Sequence, residues 1–381
     1  MNNLQYSMVY LAACGVNKSK PEQKQLEGLN LEELYRLSKF HSLDALVGMM
    51  VKQTGMSVPG SWEEKILKAV RKNLLFDVER TKLLAFFEEK GIWYMPMKGI
   101  LLKDLYPEVG MRQMADNDIL FDDAFTSDVQ EYMESQGYSA EHVGRSNHDV
   151  YKKAPVYNFE LHRALYGEFH PQEWVTYYAN VKERLVRTEG TSYGYHFTDE
   201  DFYVYMVTHE YKHYKGSGTG LRSLLDVYVY LKEKAQQMDF TYIQKECEVL
   251  GIAAFERQGR SICQKVFGAS EWNNKEELER LLNAEELDML LYYLTSGVYG
   301  TEGRRIENTV QELKKEKKYF PKLAYVWKRL FPGANVYKIY FPPAERYPWL
   351  LPVGWLKRTF SVVFRKKSKR IINEVKKVKE I

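Results

Sequence analysis

Two carboxylates two residues apart, Asp116 and Asp118, are where residue type and spacing in this chain first suggest chemistry. Asp116-Asn117-Asp118 stands before or within an apolar run, Ile119-Leu120-Phe121, that reads as a strand. The two-residue period of a strand puts both carboxylates on one face. At about 4 Å apart and an effective dielectric near 20, two ionised carboxylates repel by about 4 kcal/mol. A hard divalent cation removes that conflict and prefers oxygen ligands. A third carboxylate comes from a second strand-like run, in which Asn158, Glu160 and His162 alternate with Tyr157, Phe159 and Leu161. The aromatic and aliphatic set suits a core. Glu160 then falls on the open face as the natural third ligand, with His162 beside it as either a site residue or an ordinary hydrogen-bonded histidine.

An Asp-x-Asp pair by itself is commonly a turn or a solvated strand end, and its neighbours decide how it is read. Lys98-Gly99 lies at a strand-to-helix turn, where free N–H groups and the helix dipole favour an anion and a glycine lets a phosphate come close. Arg112 precedes the pair by four residues and is placed as a phosphate clamp. Other residues of similar type read more plainly. His209 and His213 lack the His-Glu-x-x-His pattern of zinc proteases and are read as packing or substrate contacts. Arg222 and Asp226, four apart, read as an ion pair on a helix surface. The 29 tyrosines have no base-stacking spacing and are assigned to packing.

The elements that must hold these groups follow from periodicity. Before residue 91, Leu31, Leu34 and Leu37, then Leu43, Leu46 and Val47, then Ile66, Val70, Leu74, Leu75 and Val78 recur at helical spacing. Gly91 ends a helix, and Ile92 to Met97 suit a buried strand. A short helix runs from Lys98-Gly99 through Leu105, a strand covers Asn117 to Phe121, and further strands follow near Tyr138, at Asp149 to Lys152 and at Val156 to Leu161. From about Pro171 the pattern is helical again, over Phe202 to Tyr214, Leu221 to Lys232, Tyr242 to Leu250 and Leu278 to Leu294. The expected fold class is α+β, a small mixed-sheet core between helical regions, with divisions at 1–90, 91–168, 169–310 and 311–381.

Composition narrows the setting. Three scattered cysteines, Cys14, Cys247 and Cys263, make neither a disulfide framework nor a four-ligand zinc site, and a cytoplasmic location is expected. Leu11-Ala12-Ala13-Cys14 resembles a lipoprotein cleavage box, but no Lys or Arg precedes it, and it is read as a buried helix. Residues 311–381 hold 19 Lys or Arg against 5 Glu, which leaves the first 310 residues net negative. This end also carries Trp355, Leu356, Phe360, Val363 and Phe364 beside the run 365–370, then Ile371, Val375 and Val378 at helical spacing. The combination suits a helix packed on the body, or a segment touching an anionic membrane surface peripherally or contacting nucleic acid.

Met97-Lys98-Gly99 through Leu105-Tyr106-Pro107, then Arg112 and Asp116-Asn117-Asp118-Ile119-Leu120, resembles the signature of the uncharacterised nucleotidyltransferase family of the DNA polymerase beta-like superfamily. Glu160-Leu161-His162 resembles its third carboxylate strand, and His209 with Arg222 and Asp226 its downstream helical pair. The resemblance covers roughly residues 90 to 230. It implies that Asp116, Asp118 and Glu160 are catalytic and hold Mg²⁺ (or Mn²⁺), that Lys98, Gly99, Arg112 and His162 bind a nucleoside triphosphate, and that a nucleoside monophosphate passes to an unidentified acceptor. The superfamily usually has Gly-Gly or Gly-Ser in place of Lys98-Gly99, Asp in place of Glu160, and often Leu in place of Asn117. Two rival readings are an Asp-x-Asp glycosyltransferase using a nucleotide-sugar and a non-catalytic binding module on the same fold.

Overall fold

The structure, a computed structural model, describes residues 1–141, 143–144, 146–268, 272–316, 319–331, 347–350 and 352–356. It opens with helices α1 (Asn3–Val16), α2 (Leu31–Phe40), α3 (Asp44–Gln53) and α4 (Gly60–Lys90). Asn2 and Asn30 accept backbone N–H bonds and so cap α1 and α2. Leu11, Ala12 and Cys14 lie in α1 and are buried. The sequence reading of α4 needs correction. Its buried stripe is Trp62, Ile66, Ala69, Asn73, Phe76, Leu83 and Phe87, whereas Leu74 and Val78 are exposed. Successive four-residue steps drift about 40° around a helix, so the row from Ile66 through Val70 and Leu74 to Val78 leaves the buried face. Gly91, at φ +71°, closes α4 in the left-handed conformation, and the Ile92 N–H returns to the Phe87 carbonyl at 2.9 Å.

That turn delivers the chain into β1 (Tyr94–Pro96), followed by the single-turn helix α5 (Gly99–Leu102), β2 (Asn117–Phe121), α6 (Thr126–Ser135), β3 (Ser139–Glu141), β4 (His148–Lys153) and β5 (Tyr157–His162). The strands form one mixed sheet in the order β1-β2-β5-β4-β3, with β2 and β5 parallel and the remaining pairs antiparallel. One face packs on helices: Ile119, Phe121, Tyr151, Phe159 and Leu161 share a core with Phe76, Leu83 and Phe87 of α4 and with Val129 and Met133 of α6. Pleating therefore turns Asp118, His148, Glu160 and His162 to the opposite face.

Beyond the sheet lie α7 (Gln172–Tyr177), a ribbon of β6 (Val186–Arg187) and β7 (Tyr195–His196), then α8 (Asp199–Lys215), α9 (Leu221–Lys234), α10 (Phe240–Val249), α11 (Ala253–Phe267), α12 (Lys275–Leu281) and α13 (Ala284–Ser296). The helical stretch read from Leu278 to Leu294 is two helices. Asn283 starts the second with a reciprocal capping box to Glu286.

The chain forms two compact units, Met1–Tyr211 with Gly220–Val298, and Lys212–Thr219 with Tyr299–Ile381. In the second, α14 (Glu302–Lys315) packs on α15 (Pro321–Leu330) through Ile306, Val310, Leu313 and Tyr325. The basic run 365–370 and Phe360, Val363, Phe364, Ile371, Val375 and Val378 lie outside the described residues. Among the described residues, no helix is long and apolar enough to cross a membrane.

Candidate functional site

β1 and β2 set the first half of the site. Their antiparallel register, Pro96 opposite Ile119, is extended by the Met97 N–H donating to the Asp118 carbonyl at 3.0 Å. Lys98 thus leaves the sheet beside Asp118. Its backbone sits at φ +49°, ψ −120°, a conformation that a residue with a side chain rarely adopts. It turns the chain into α5 and returns the side chain over the sheet, where Nζ lies 2.5 Å from Asp118 Oδ1. The same oxygen is 2.9 Å from His162 Nε2. Burial opposes ionisation of Asp118, but Lys98 and His162 outweigh it and hold the carboxyl well below the usual range. Burial opposes charge on Lys98 as well, and Asp118, Tyr205 and Asp116 reverse that effect and raise it.

The parallel pairing of β2 with β5 sets Asp118 opposite Glu160, which is why Glu160 joins the site. His162 is buried, and burial pushes its imidazole down to about 4, so it is neutral near pH 7. The antiparallel β4–β5 pairing adds His148, opposite His162, with ring centroids 4.9 Å apart. The Nε2 atoms of His148 and His162 are each 3.9 Å from Glu160 Oε2. Among the described residues, His148, Glu160 and His162 are the set of three or more whose ligand atoms all lie within 4.8 Å of one another. The expected triad of Asp116, Asp118 and Glu160 is more open than that.

Asp116 precedes β2, half-buried. Burial, then the charges of Asp118 and Glu160, push its carboxyl up to about 7, against the opposing pull of Lys98 and Arg222. Nearby, Lys72 of α4 donates to the Ala115 carbonyl at 3.1 Å. The three carboxylates therefore sense one another, and Asp116 is the one that bears the repulsion.

Arg112 sits elsewhere in the design. Its Nε and Nη2 reach both carboxylate oxygens of Asp226, at 2.9 and 3.0 Å, and the Tyr106 hydroxyl donates to the same Oδ1 at 2.8 Å. All three groups are buried. The guanidinium fork thus pairs with Asp226 and ties the segment before β2 to α9. The reading of Arg222 and Asp226 as a surface pair is corrected. Asp226 is buried because it is Arg112's partner, while Arg222 Nη1 points to the Gln113 carbonyl at 3.4 Å. Gly99 belongs to this arrangement: a Cβ there would lie 2.5 Å from Arg112 Nη1. Its bareness admits the arginine, and α5, a single turn, offers little dipole for an anion.

Asn117 faces the opposite side from Asp118, where Oδ1 accepts from Arg80 Nη1 at 3.1 Å and Nδ2 finds no partner among the described residues. His209 rests on Tyr205, with centroids 6.2 Å apart. Tyr205, buried on α8 and near enough to Lys98, Asp118 and Glu160 to feel their charges, was not singled out by sequence reasoning; nor was His148. Hairpin arithmetic could have found His148, because two strands joined around Ala154-Pro155 pair position 148 with 162.

Comparison with known proteins agrees with this architecture. Searches of curated proteins and of solved structures gave no match. A family model described as "Uncharacterised nucleotidyltransferase" matches residues 27–268, which span the whole sheet, α4 before it, and α8 and α9 after it. With well over half its length matched, this chain belongs to that nucleotidyltransferase family.

Proposed function

We propose that the protein is a divalent-metal-dependent nucleotidyltransferase that moves a nucleoside monophosphate from a nucleoside triphosphate to an acceptor hydroxyl. The carrying observation is the placement of Asp118 and Glu160 on adjacent parallel strands, with Asp116 near enough that their charges add to its burial in raising it to about 7. An oxygen-only donor set under mutual repulsion suits a hard cation, and Asp116, Asp118 and Glu160 would hold Mg²⁺ or Mn²⁺. Asp118 Oδ2 is available for this, since Lys98 and His162 both use Oδ1. Such a cation would lower the pKa of an acceptor hydroxyl and offset charge on departing pyrophosphate.

The chain's own groups take the remaining roles. His162 fixes the orientation of Asp118. Lys98, beside Asp118, carries positive charge toward the β- and γ-phosphates. Glu160, half-buried on the open face, accepts the acceptor's proton as the new oxygen–phosphorus bond forms and the bond to the β-phosphate oxygen breaks. In this reading, residues 91–168 are the catalytic core, 1–90 and 169–310 flank it, and 311–381 form a basic segment. The test is pyrophosphate release from each of the four nucleoside triphosphates, with and without Mg²⁺ and cell extract. Wild type should release pyrophosphate and both Asp116→Asn and Asp118→Asn should lose at least a hundredfold; unchanged variants would overturn the reading.

A second reading concerns the second unit. Phe320, Leu323 and Trp327 form one stripe at α15, respectively 73%, 68% and 65% exposed, beside Lys322, Lys328 and Arg329. Apolar side chains exposed among cations support contact with an anionic membrane surface, which can bury the one and pair the other.

A further inference from the structure

We infer that His148, Glu160 and His162 form a second metal site, selective for a divalent transition ion of the zinc class and distinct in chemistry from the carboxylate set. The site shares Glu160 with the proposed catalytic set but stands on its own geometry. β4 and β5 present the two imidazoles side by side, because the hairpin register places His148 opposite His162. Glu160 lies two residues from His162 on the same strand face, so its carboxylate reaches between them. Oε2 is 3.9 Å from Nε2 of each histidine.

Around an ion with bonds of about 2.1 Å, neighbouring ligand atoms stand roughly 3.0–3.4 Å apart. The two Glu160–histidine pairs must therefore close by about 0.5–0.9 Å, which rotation of the half-buried Glu160 side chain and small turns of the two imidazoles supply. Asp118 Oδ1, 2.9 Å from His162 Nε2, is the nearest further acceptor and would lose that hydrogen bond when the imidazole turns to an ion. Two nitrogen donors change the preference: imidazole favours zinc, cobalt and other late transition ions over magnesium, whereas Asp116 and Asp118 offer oxygen alone. Occupation of the histidine site would draw Glu160 and His162 away from Asp118. Zinc-class ions should then inhibit, and magnesium should not displace them.

The experiment titrates Co²⁺ alone into the full chain and follows ligand-field absorption, with Zn²⁺ as competitor. Wild type should bind Co²⁺ with nitrogen-type ligand-field bands that Zn²⁺ abolishes and a hundredfold excess of Mg²⁺ does not. His148→Gln should weaken binding at least tenfold, and His148→Cys should restore it with a shifted charge-transfer band. Asp116→Asn should bind Co²⁺ as wild type does. The inference is overturned if wild type shows no such bands, or if His148→Gln and Glu160→Gln both bind unchanged. It is also overturned if Asp116→Asn, not His148→Gln, removes the bands. A wild type that binds Co²⁺ in this way and releases no pyrophosphate under any condition overturns the transferase reading alone.

Discussion

Nζ of Lys98 lies 2.5 Å from Oδ1 of Asp118, and the aspartate is 4% exposed. The pair joins a residue at positive φ to β2, an interior strand of the sheet. Charge and backbone strain are therefore stored at the same position.

Lys98→Met leaves Asp118 buried without its nearest cation, and folding stability should fall by about 3 kcal/mol. Asp118 is depressed in the folded state, so its contribution is present above an unfolded value of about 3.9 and lost as pH falls through the lower folded value. The gap to wild type should hold between about pH 5 and 9 and close only in strong acid. Denaturant melts across pH check this.

Lys98→Gly and Lys98→Ala remove the same charge but differ at the backbone. With φ at +49°, glycine should be about 1 kcal/mol less destabilising than alanine. Equal melts would show that the strain is absorbed elsewhere.

Asp116 is raised in the folded state to about 7, so the sign is opposite to that of Asp118. Below about pH 3 the group is protonated folded and unfolded, and it costs nothing. As pH rises to 7 the unfolded chain loses this proton first, and stability falls. Asp116→Asn should therefore be more stable than wild type by about 2–4 kcal/mol at pH 8 and equal to it at about pH 3. Added Mg²⁺ should stabilise wild type more than the variant, as calorimetric melts would show.

Arg112→Ala should cost about 3–5 kcal/mol because it strands Asp226 in the core, and Arg112→Lys should recover only part, lacking the fork. Arg112→Met with Asp226→Leu should restore much of the loss. Nucleotide affinity per folded molecule should remain within about threefold of wild type, roughly 0.6 kcal/mol. A tenfold or larger loss in the folded double variant would return Arg112 to the phosphate site.

Leu323→Ser with Trp327→Ser should reduce sedimentation with anionic vesicles without lowering the melting temperature, since both side chains are exposed. Binding of wild type should fade with salt. Retention of binding to DNA or RNA in place of vesicles would favour a nucleic-acid partner.

Local pattern in the sequence was enough for β2 and for the face of β5. Ile119, Leu120 and Phe121 can only be buried, and alternation around Phe159 and Leu161 sends Glu160 and His162 to the other face. Turn chemistry likewise located Gly91 and the short helix at Gly99. These are short-range properties, fixed by the period of each element.

Tertiary structure alone decided who meets whom. Asp226 is 114 residues from Arg112, and its burial depends on where α9 packs; the i,i+4 spacing to Arg222 pointed the other way. Lys98 meets Asp118 because one extra ladder bond extends β1, and His148 joins Glu160 because of hairpin register. A one-residue slip in either pairing would turn the same side chains to the opposite face with no change in local sequence. Spacing along a chain sets which face a group occupies. Its partner across the sheet is set by the register that buries the most core.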